Sequence, residues 1–310
     1  MAGYALRRLW HMAAVLLGAS LILFTCLFVA PGDPLAALEG EGRVLDAATR
    51  AGLTDRYRLD RPLAQQYVHY LSRLVRGDLG ESYRQRRSVN EVLREKAGNT
   101  ARLAVAALGC QIVLGVAAGV LAAVTRRRFV DVLVVVATSV AIGLPVFVIG
   151  LGLQQAFALR LAWLPLQGHD AGARSIVLPA VTLGLGYAAI VARLTRSSLL
   201  EVLGADYMRT ATAKGLSSRA VTLRHGLRTS LVPVIAYLGI AFGGLLGGAA
   251  VVETIFNWDG LGRSLVTAVT AQDNPIVMGV VVYGIAAFVL VNLVVDLVSA
   301  ALDPRIRLDA

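Results

Sequence analysis

Six stretches of this chain are long enough, and free enough of charge, to cross a lipid bilayer: residues 9–32, 103–125, 132–159, 175–192, 229–252 and 274–295, the last continuing past Asp296 to 302. A hydrocarbon core about 30 Å thick needs about 20 apolar residues in helical form. Every backbone polar group inside it must also be bonded internally, which favours helices for runs of this length. The expected fold is therefore an all-α membrane protein with six transmembrane helices. Charged residues make up only 16% of the chain, against roughly 25% in a soluble domain. The formal charge of +10 is then no sign of a nucleic-acid partner, because a lipid-embedded chain carries its cations in the loops that stay inside.

Orientation follows from where those cations fall. With the N-terminus inside, Arg7, Arg8, Arg126, Arg127, Arg128, Arg305, Arg307 and seven basic residues between 193 and 228 all face the cytoplasm, while the short outer loops hold only Arg160, Arg174 and Arg263. The segment 31–98 lies outside despite its arginines, since a connection of that length translocates largely regardless of charge. The first run follows Arg7 and Arg8 as a secretory leader would, but it is longer than a leader's apolar part and Ala30-Pro31-Gly32 is a poor cleavage site. It reads as a retained helix over 9–30, preceded by a cytoplasmic stretch 1–8. Residues 99–302 form the membrane core, with a cytoplasmic segment at 198–228 and a cytoplasmic tail at 303–310.

Within the outer segment, Asp60 and Pro62 suggest a helix start, and Leu63, Tyr67, Tyr70, Leu71 and Leu74 an apolar face that stops at Gly77. Ser88 followed by Glu91 predicts a capping box for a second short helix leading into the membrane. Pro145 and Pro179 predict packing kinks. Arg102, Arg193, Arg196 and Asp296 lie near span ends, where long side chains snorkel. Cys26 and Cys110 fall inside apolar runs and read as small packing residues. His11, His69, His169 and His225 are scattered and make no metal cluster, and no nucleophile–base arrangement is visible. The chain's two lysines, Lys96 and Lys214, follow Glu95 and Ala213, so neither sits in a Gly-Lys-Ser/Thr phosphate loop.

The stretch 198–234 is more than a loop. A helix can run to Lys214, Gly215 can supply the left-handed residue that ends it, and Ser217 or Ser218 can cap a second helix continuing through Arg228. Such a helix–glycine–helix knob suits insertion into a groove on another protein. The same basic stretch equally suits a surface loop resting on anionic headgroups.

The residues of this stretch resemble the cytoplasmic coupling segment of ABC importer permeases, in the form found in the dipeptide and oligopeptide (peptide/nickel) family. The matching positions are Tyr207, Arg209, Thr210, Ala211, Ala213, Lys214, Gly215 and Leu216, followed by Arg224, His225, Leu227, Arg228 and Pro233. The resemblance is co-linear along the chain. It takes in Leu6 to Leu9, the Ala30-Pro31-Gly32-Asp33-Pro34 motif, Leu59-Asp60-Arg61-Pro62-Leu63, Gly77-Asp78-Leu79-Gly80, Val252-Glu253-Thr254-Ile255-Phe256, Gly260-Leu261-Gly262-Arg263 and Leu302-Asp303-Pro304-Arg305. Gly98 and Asp259 stand where proline is common.

That resemblance implies a type I importer permease of the B type, one half of a translocation pathway in the bacterial inner membrane. It implies a second homologous permease, two ATPase subunits that carry ATP and Mg2+, and an extracytoplasmic binding protein; no cofactor is expected on this chain. Tyr207 to Leu216 would couple to the ATPases. Glu253, Phe256, Trp258 and Asp259 are candidates for an outer gate or a binding-protein contact. Gly239, Gly243 and Gly247, with Gly244 and Gly248 alongside, permit close helix approach for packing or pore. The resemblance implies di- or oligopeptides as cargo, with nickel chelates or haem as the alternative within the family. The alternative of another class is an ion-coupled secondary transporter, whose usual internal repeats and midplane carboxylates are not seen.

Overall fold

A computed structural model describes residues 2–28, 50–52, 54, 60–125, 128–168, 172–217 and 220–302. The motif at 30–34, Leu59, Arg126, Arg127, His169, Ser218 and the tail 303–310 lie outside the described residues. The named helices are α1 (Ala2–Phe28), α2 (Leu63–Val75), α3 (Val89–Val124), α4 (Arg128–Gly143), α5 (Val146–Leu153), α6 (Val177–Gly204), α7 (Asp206–Ala213), α8 (Leu227–Ser230), α9 (Val232–Ile255), α10 (Leu261–Thr270) and α11 (Asn274–Leu302). The chain divides into two compact units, residues 1–100 with 259–289 and residues 101–258 with 290–310.

In the second unit α6 is the central helix, and glycines decide what lies against it. A Cβ on Gly184 would stand 2.6 Å from the Ala107 carbonyl oxygen, one on Gly115 2.6 Å from Val191, and one on Gly119 2.5 Å from the Ala192 oxygen. Because the residue numbers of these partners rise together along both helices, α3 and α6 run parallel. The α4–α5 pair follows α6 in the opposite sense: Asp131 meets Arg196, Ser139 meets Arg193, and Gly150 abuts Thr182. On another side α9 is also antiparallel, with Gly244 against Tyr187 and Gly248 against Leu183. Leu103, Ala107, Leu178, Leu183, Leu245, Val252, Phe256 and Trp258 form the buried core of this unit.

The helices answering to residues 103–125, 175–192, 229–252 and 274–295 are each long and apolar enough to span, and α1 contributes a shorter apolar stretch, Ala13–Phe28. The run 132–159 is not one straight helix. It breaks at Pro145 and bends by 108°, because Pro145 has no N–H to donate and drives Leu144 out of helical geometry; Pro145 sits at the N-cap of α5 with ψ 142°. Its monotonic antiparallel path along α6 makes this bent pair one crossing, since parallel α3 and α6 require a single traverse between them. Pro179 lies in the first turn of α6, where proline is tolerated without a break.

Three further expectations change. The second short helix does not exist separately: α3 runs unbroken for 36 residues, about 54 Å at 1.5 Å per residue, because Gly98 in place of proline leaves every backbone donor intact. Asp60 does not cap α2; Pro62 occupies the N-cap with no side-chain bond, and Gln66 closes the turn on the Arg61 carbonyl at 2.8 Å. Arg196 does not snorkel but forms a two-pronged pair with Asp131 at 2.6 and 2.8 Å, while Arg193 donates to Ser139 at 2.6 Å. Cys26 lies on an exposed face of α1 and Cys110 is half-buried.

In the first unit the end of α2 matches expectation. Gly77 is left-handed (φ 76°), with Asp78 N–H bonded to the Arg73 carbonyl and Gly77 N–H to that of Leu74, the paired pattern of a Schellman cap. The α2 face packs on α1 through Phe24, Tyr67 and Tyr70, and burial pushes the Tyr70 hydroxyl up to about 12. A second core gathers Val89, Val92, Leu93, Leu261, Ala268, Ile276, Val277 and Val280.

Because α3 and α6 meet backbone to backbone, Gly119→Ala should destabilise the detergent-solubilised protein by roughly 1–3 kcal/mol through overpacking. Gly152→Ala, with nothing within 4 Å of its Cβ, should be near neutral. Thermal unfolding of the two variants checks this.

Candidate coupling surface and outer clamp

The knob at 198–228 is built from breaks in helical backbone. The helix from α6 does not continue to Lys214 as the sequence suggests: Ala205 is extended (ψ 149°) and separates α6 from α7. Ala205's carbonyl then receives Met208 N–H at 3.0 Å to start α7. Asp206 lies in the first turn of α7, where a carboxylate complements the helix dipole. Lys214 N–H closes the last turn on Thr210 at 3.1 Å, and Gly215 takes the left-handed conformation at φ 83°. Ser217 caps the next turn, its Oγ accepting Ala220 N–H at 3.3 Å. A π-helical turn, Val221–Gly226, leads through α8 to α9, whose first turn holds Pro233.

One side chain fastens α7. Met208 is 2% exposed and enters the space left by the absent Cβ of Gly226, in company with Leu199 and Leu203 of α6. Around that anchor the other positions turn outward: Tyr207 is half exposed and Leu216 41% exposed, and Arg209, Thr210, Ala213 and Lys214 are exposed. Ala211 contributes backbone to the same helix. A Cβ on Gly215 would meet nothing within 4 Å, so within this chain its left-handed backbone, not crowding, calls for glycine. Met208 is not visible from the motif, whose matched positions flank the buried one between them.

At the other end of α9 the four outer candidates separate. Glu253 is fully buried, and Phe256 and Trp258 belong to the core. A left-handed Asn257 (φ 52°) lets the chain turn back, with Trp258 N–H on the Glu253 carbonyl at 2.8 Å. Gln154 ties this end to the preceding loop, donating to Leu166 and Ile255 carbonyls at 3.2 and 3.3 Å. The glycine stripe divides as well. Gly239 abuts Asn292 and Val295 of α11, Gly244 and Gly248 abut α6, and Gly247 faces open space; Gly243 is half-buried.

In the first unit a set of polar bonds fixes the outer segment. Asp259 pairs with Lys96 at 2.6 Å and its carbonyl accepts from Asn99 at 2.8 Å. Thr100 Oγ1 accepts Leu261 N–H at 2.8 Å. Buried Asp273 accepts from the Ser82 hydroxyl, from Tyr83 N–H at 3.2 Å and from Arg84 N–H at 3.4 Å. It thereby holds the tip of a tight turn closed by the Glu81–Ser88 bridge. The Arg73 guanidinium beside Asp78 holds that carboxyl below its ordinary range. Neither Asp273 nor Lys96 is evident from spacing, because each partner is more than 150 residues away in the chain.

If Met208 is what fastens the knob, Met208→Ala should free α7 while leaving the bundle folded. Tryptic cleavage after Arg209 and Lys214 should then speed up at least tenfold, with the unfolding temperature of the bundle moved by less than a few degrees.

A family model described as a binding-protein-dependent transport system inner membrane component matches residues 115–308. The glutathione transport system permease protein GsiC of Escherichia coli is 40% identical over 310 residues, covering 99% of both chains. The protein of the same name from Shigella flexneri is 39% identical over 310 residues, and that from Salmonella typhimurium 40% over 307 residues, each again covering 99% of both chains. A bundle of apolar spanning helices, a glycine-broken knob and similarity from end to end agree: the chain belongs to the binding-protein-dependent inner membrane components, as an ABC importer permease of the peptide and nickel type.

Proposed function

We propose that this chain forms one half of an ATP-driven import pathway for small peptides, with a tripeptide such as glutathione as the first candidate cargo. The observation that carries this reading is the end-to-end correspondence with permeases named for glutathione transport, 40% identical across 99% of each chain. A second, homologous permease supplies the other half. The binding protein delivers cargo from outside, and both termini and the knob lie in the cytoplasm. ATP and Mg2+ sit on two ATPase subunits, and the work of hydrolysis reaches the bundle through α7 and Gly215. The exposed Tyr207, Arg209, Lys214 and Leu216 seat in the ATPase groove, while buried Met208 passes its movement to α6 and, through the α3–α6 contact, to the bundle. Of the four outer candidates, Asp259 keeps a partly exposed carboxylate and is the one suited to meet the binding protein.

Reconstituted with its partners in proteoliposomes, the wild-type complex should accumulate labelled tripeptide when ATP is supplied, and a proton ionophore should not stop it. Accumulation of nickel chelate or haem but no peptide would overturn the cargo assignment. Gly215→Val should leave the complex assembled and cut coupled uptake at least tenfold, since a β-branched residue resists φ 83°. Gly215→Asn, which tolerates the left-handed region, should retain much more. Wild-type uptake by Gly215→Val would refute the coupling role.

A further inference from the structure

A cavity of about 280 Å³ in the first unit is lined by Arg84, Lys96, Asp259, Arg263, Thr267 and Asp273 among others. Its charges are unequal and its carboxylates are occupied. Asp259 is held by Lys96 at 2.6 Å, and Asp273 is held by the Ser82 hydroxyl and by the Tyr83 and Arg84 backbone amides. Lys96 and Asp259 neutralise each other, and the exposed Arg84 guanidinium makes no ion pair among the described residues. The backbone of Arg84 is held in place: its own N–H lies on Asp273, and the turn that presents it is closed by Ser82 N–H on the Arg87 carbonyl at 3.0 Å and Arg86 N–H on the Ser82 carbonyl at 3.2 Å. A fixed turn sets where the arginine starts from, and its side chain reaches for a partner from that point.

We propose that this cleft is a subsite for a carboxylate of the transported peptide, gripped by Arg84. The guanidinium fork matches a carboxylate in two-pronged fashion. A singly charged carboxylate matches the unpaired Arg84 guanidinium, whereas the second charge of a phosphate would find no cation of its own among the described residues and would lie near the Asp273 carboxylate. The proposal rests on the peptide-import reading. It gives the permease its own preference for free carboxylates, in addition to whatever the binding protein selects.

The test reads the site directly. The full complex, embedded in nanodiscs without binding protein, is treated with phenylglyoxal, and adducts at Arg84 and at exposed Arg94, outside the cleft, are followed by mass spectrometry. A tripeptide at about ten millimolar should slow modification of Arg84 at least threefold, its C-terminal amide should not, and Arg94 should react at one rate throughout. Equal protection by acid and amide, or protection by neither, would overturn the subsite. Protection that appears only on adding peptide-free binding protein would also overturn it, by assigning the carboxylate to that protein. In uptake assays Arg84→Gln should raise the half-saturating concentration of peptide acid about tenfold and leave the amide unchanged; an equal effect on both would count against the proposal. Should Arg84 be protected by the acid while neither form is ever taken up, the carboxylate subsite would stand and the peptide-import reading would fall.

Discussion

The close approach of α3 to α6 is the contact on which the second unit depends. Gly115, Gly119 and Gly184 each stand where a Cβ would lie under 3 Å from the neighbouring helix, and in lipid such backbone-level packing replaces the hydrophobic drive that joins helices in water. The contact fixes α3 and α6 as parallel. Parallel order in turn forces the segment between them to cross the bilayer once, bend and all. With α9 antiparallel to α6, the C-terminal end of α6 and the N-terminal end of α9 share one side, and that is where the knob must project.

In the coupling role proposed for it, the knob turns one set of residues outward and holds another against the bundle. Its outer residues are exposed and carry the family's motif, whereas its inner anchor is a single buried methionine lying against α6. A flexible thioether in the space afforded by Gly226 can follow a shift without losing contact. The polar pairs of the neighbouring α4, Asp131 with Arg196 and Ser139 with Arg193, hold the same end of α6 from another side. In the proposed coupling role, movement at α7 would meet a helix braced by these pairs.

Much of this was legible in the sequence, and the rest was not for definite reasons. Runs of uncharged residues locate spans because composition alone decides partition into lipid, and Gly77 and Gly215 announce themselves because left-handed backbone has few other tenants. The bend at Pro145 was legible as a kink but not as a right-angle break, since the same residue gives either depending on what packs around it. The glycine stripe at 239, 243 and 247 points to close packing, which Gly239 makes with α11 while Gly247 faces open space, and the backbone-level seam lies instead at Gly115, Gly119 and Gly184. Periodicity shows that a face is narrow without naming what lies against it. Glu253, Phe256 and Trp258 drew attention as outer-loop residues, but their burial follows from a chain reversal at Asn257 that spacing does not reveal.

If the bent α4–α5 pair makes one crossing, the residues just before α4 and the loop beyond Arg160 that leads to α6 lie on opposite sides of the membrane. In a background with Cys26 and Cys110 replaced, Thr125→Cys and Gln167→Cys should be labelled by a membrane-impermeant maleimide from opposite faces: the first in inverted vesicles, the second in right-side-out ones. Labelling of both from the same face would make α4–α5 a re-entrant loop and contradict the account.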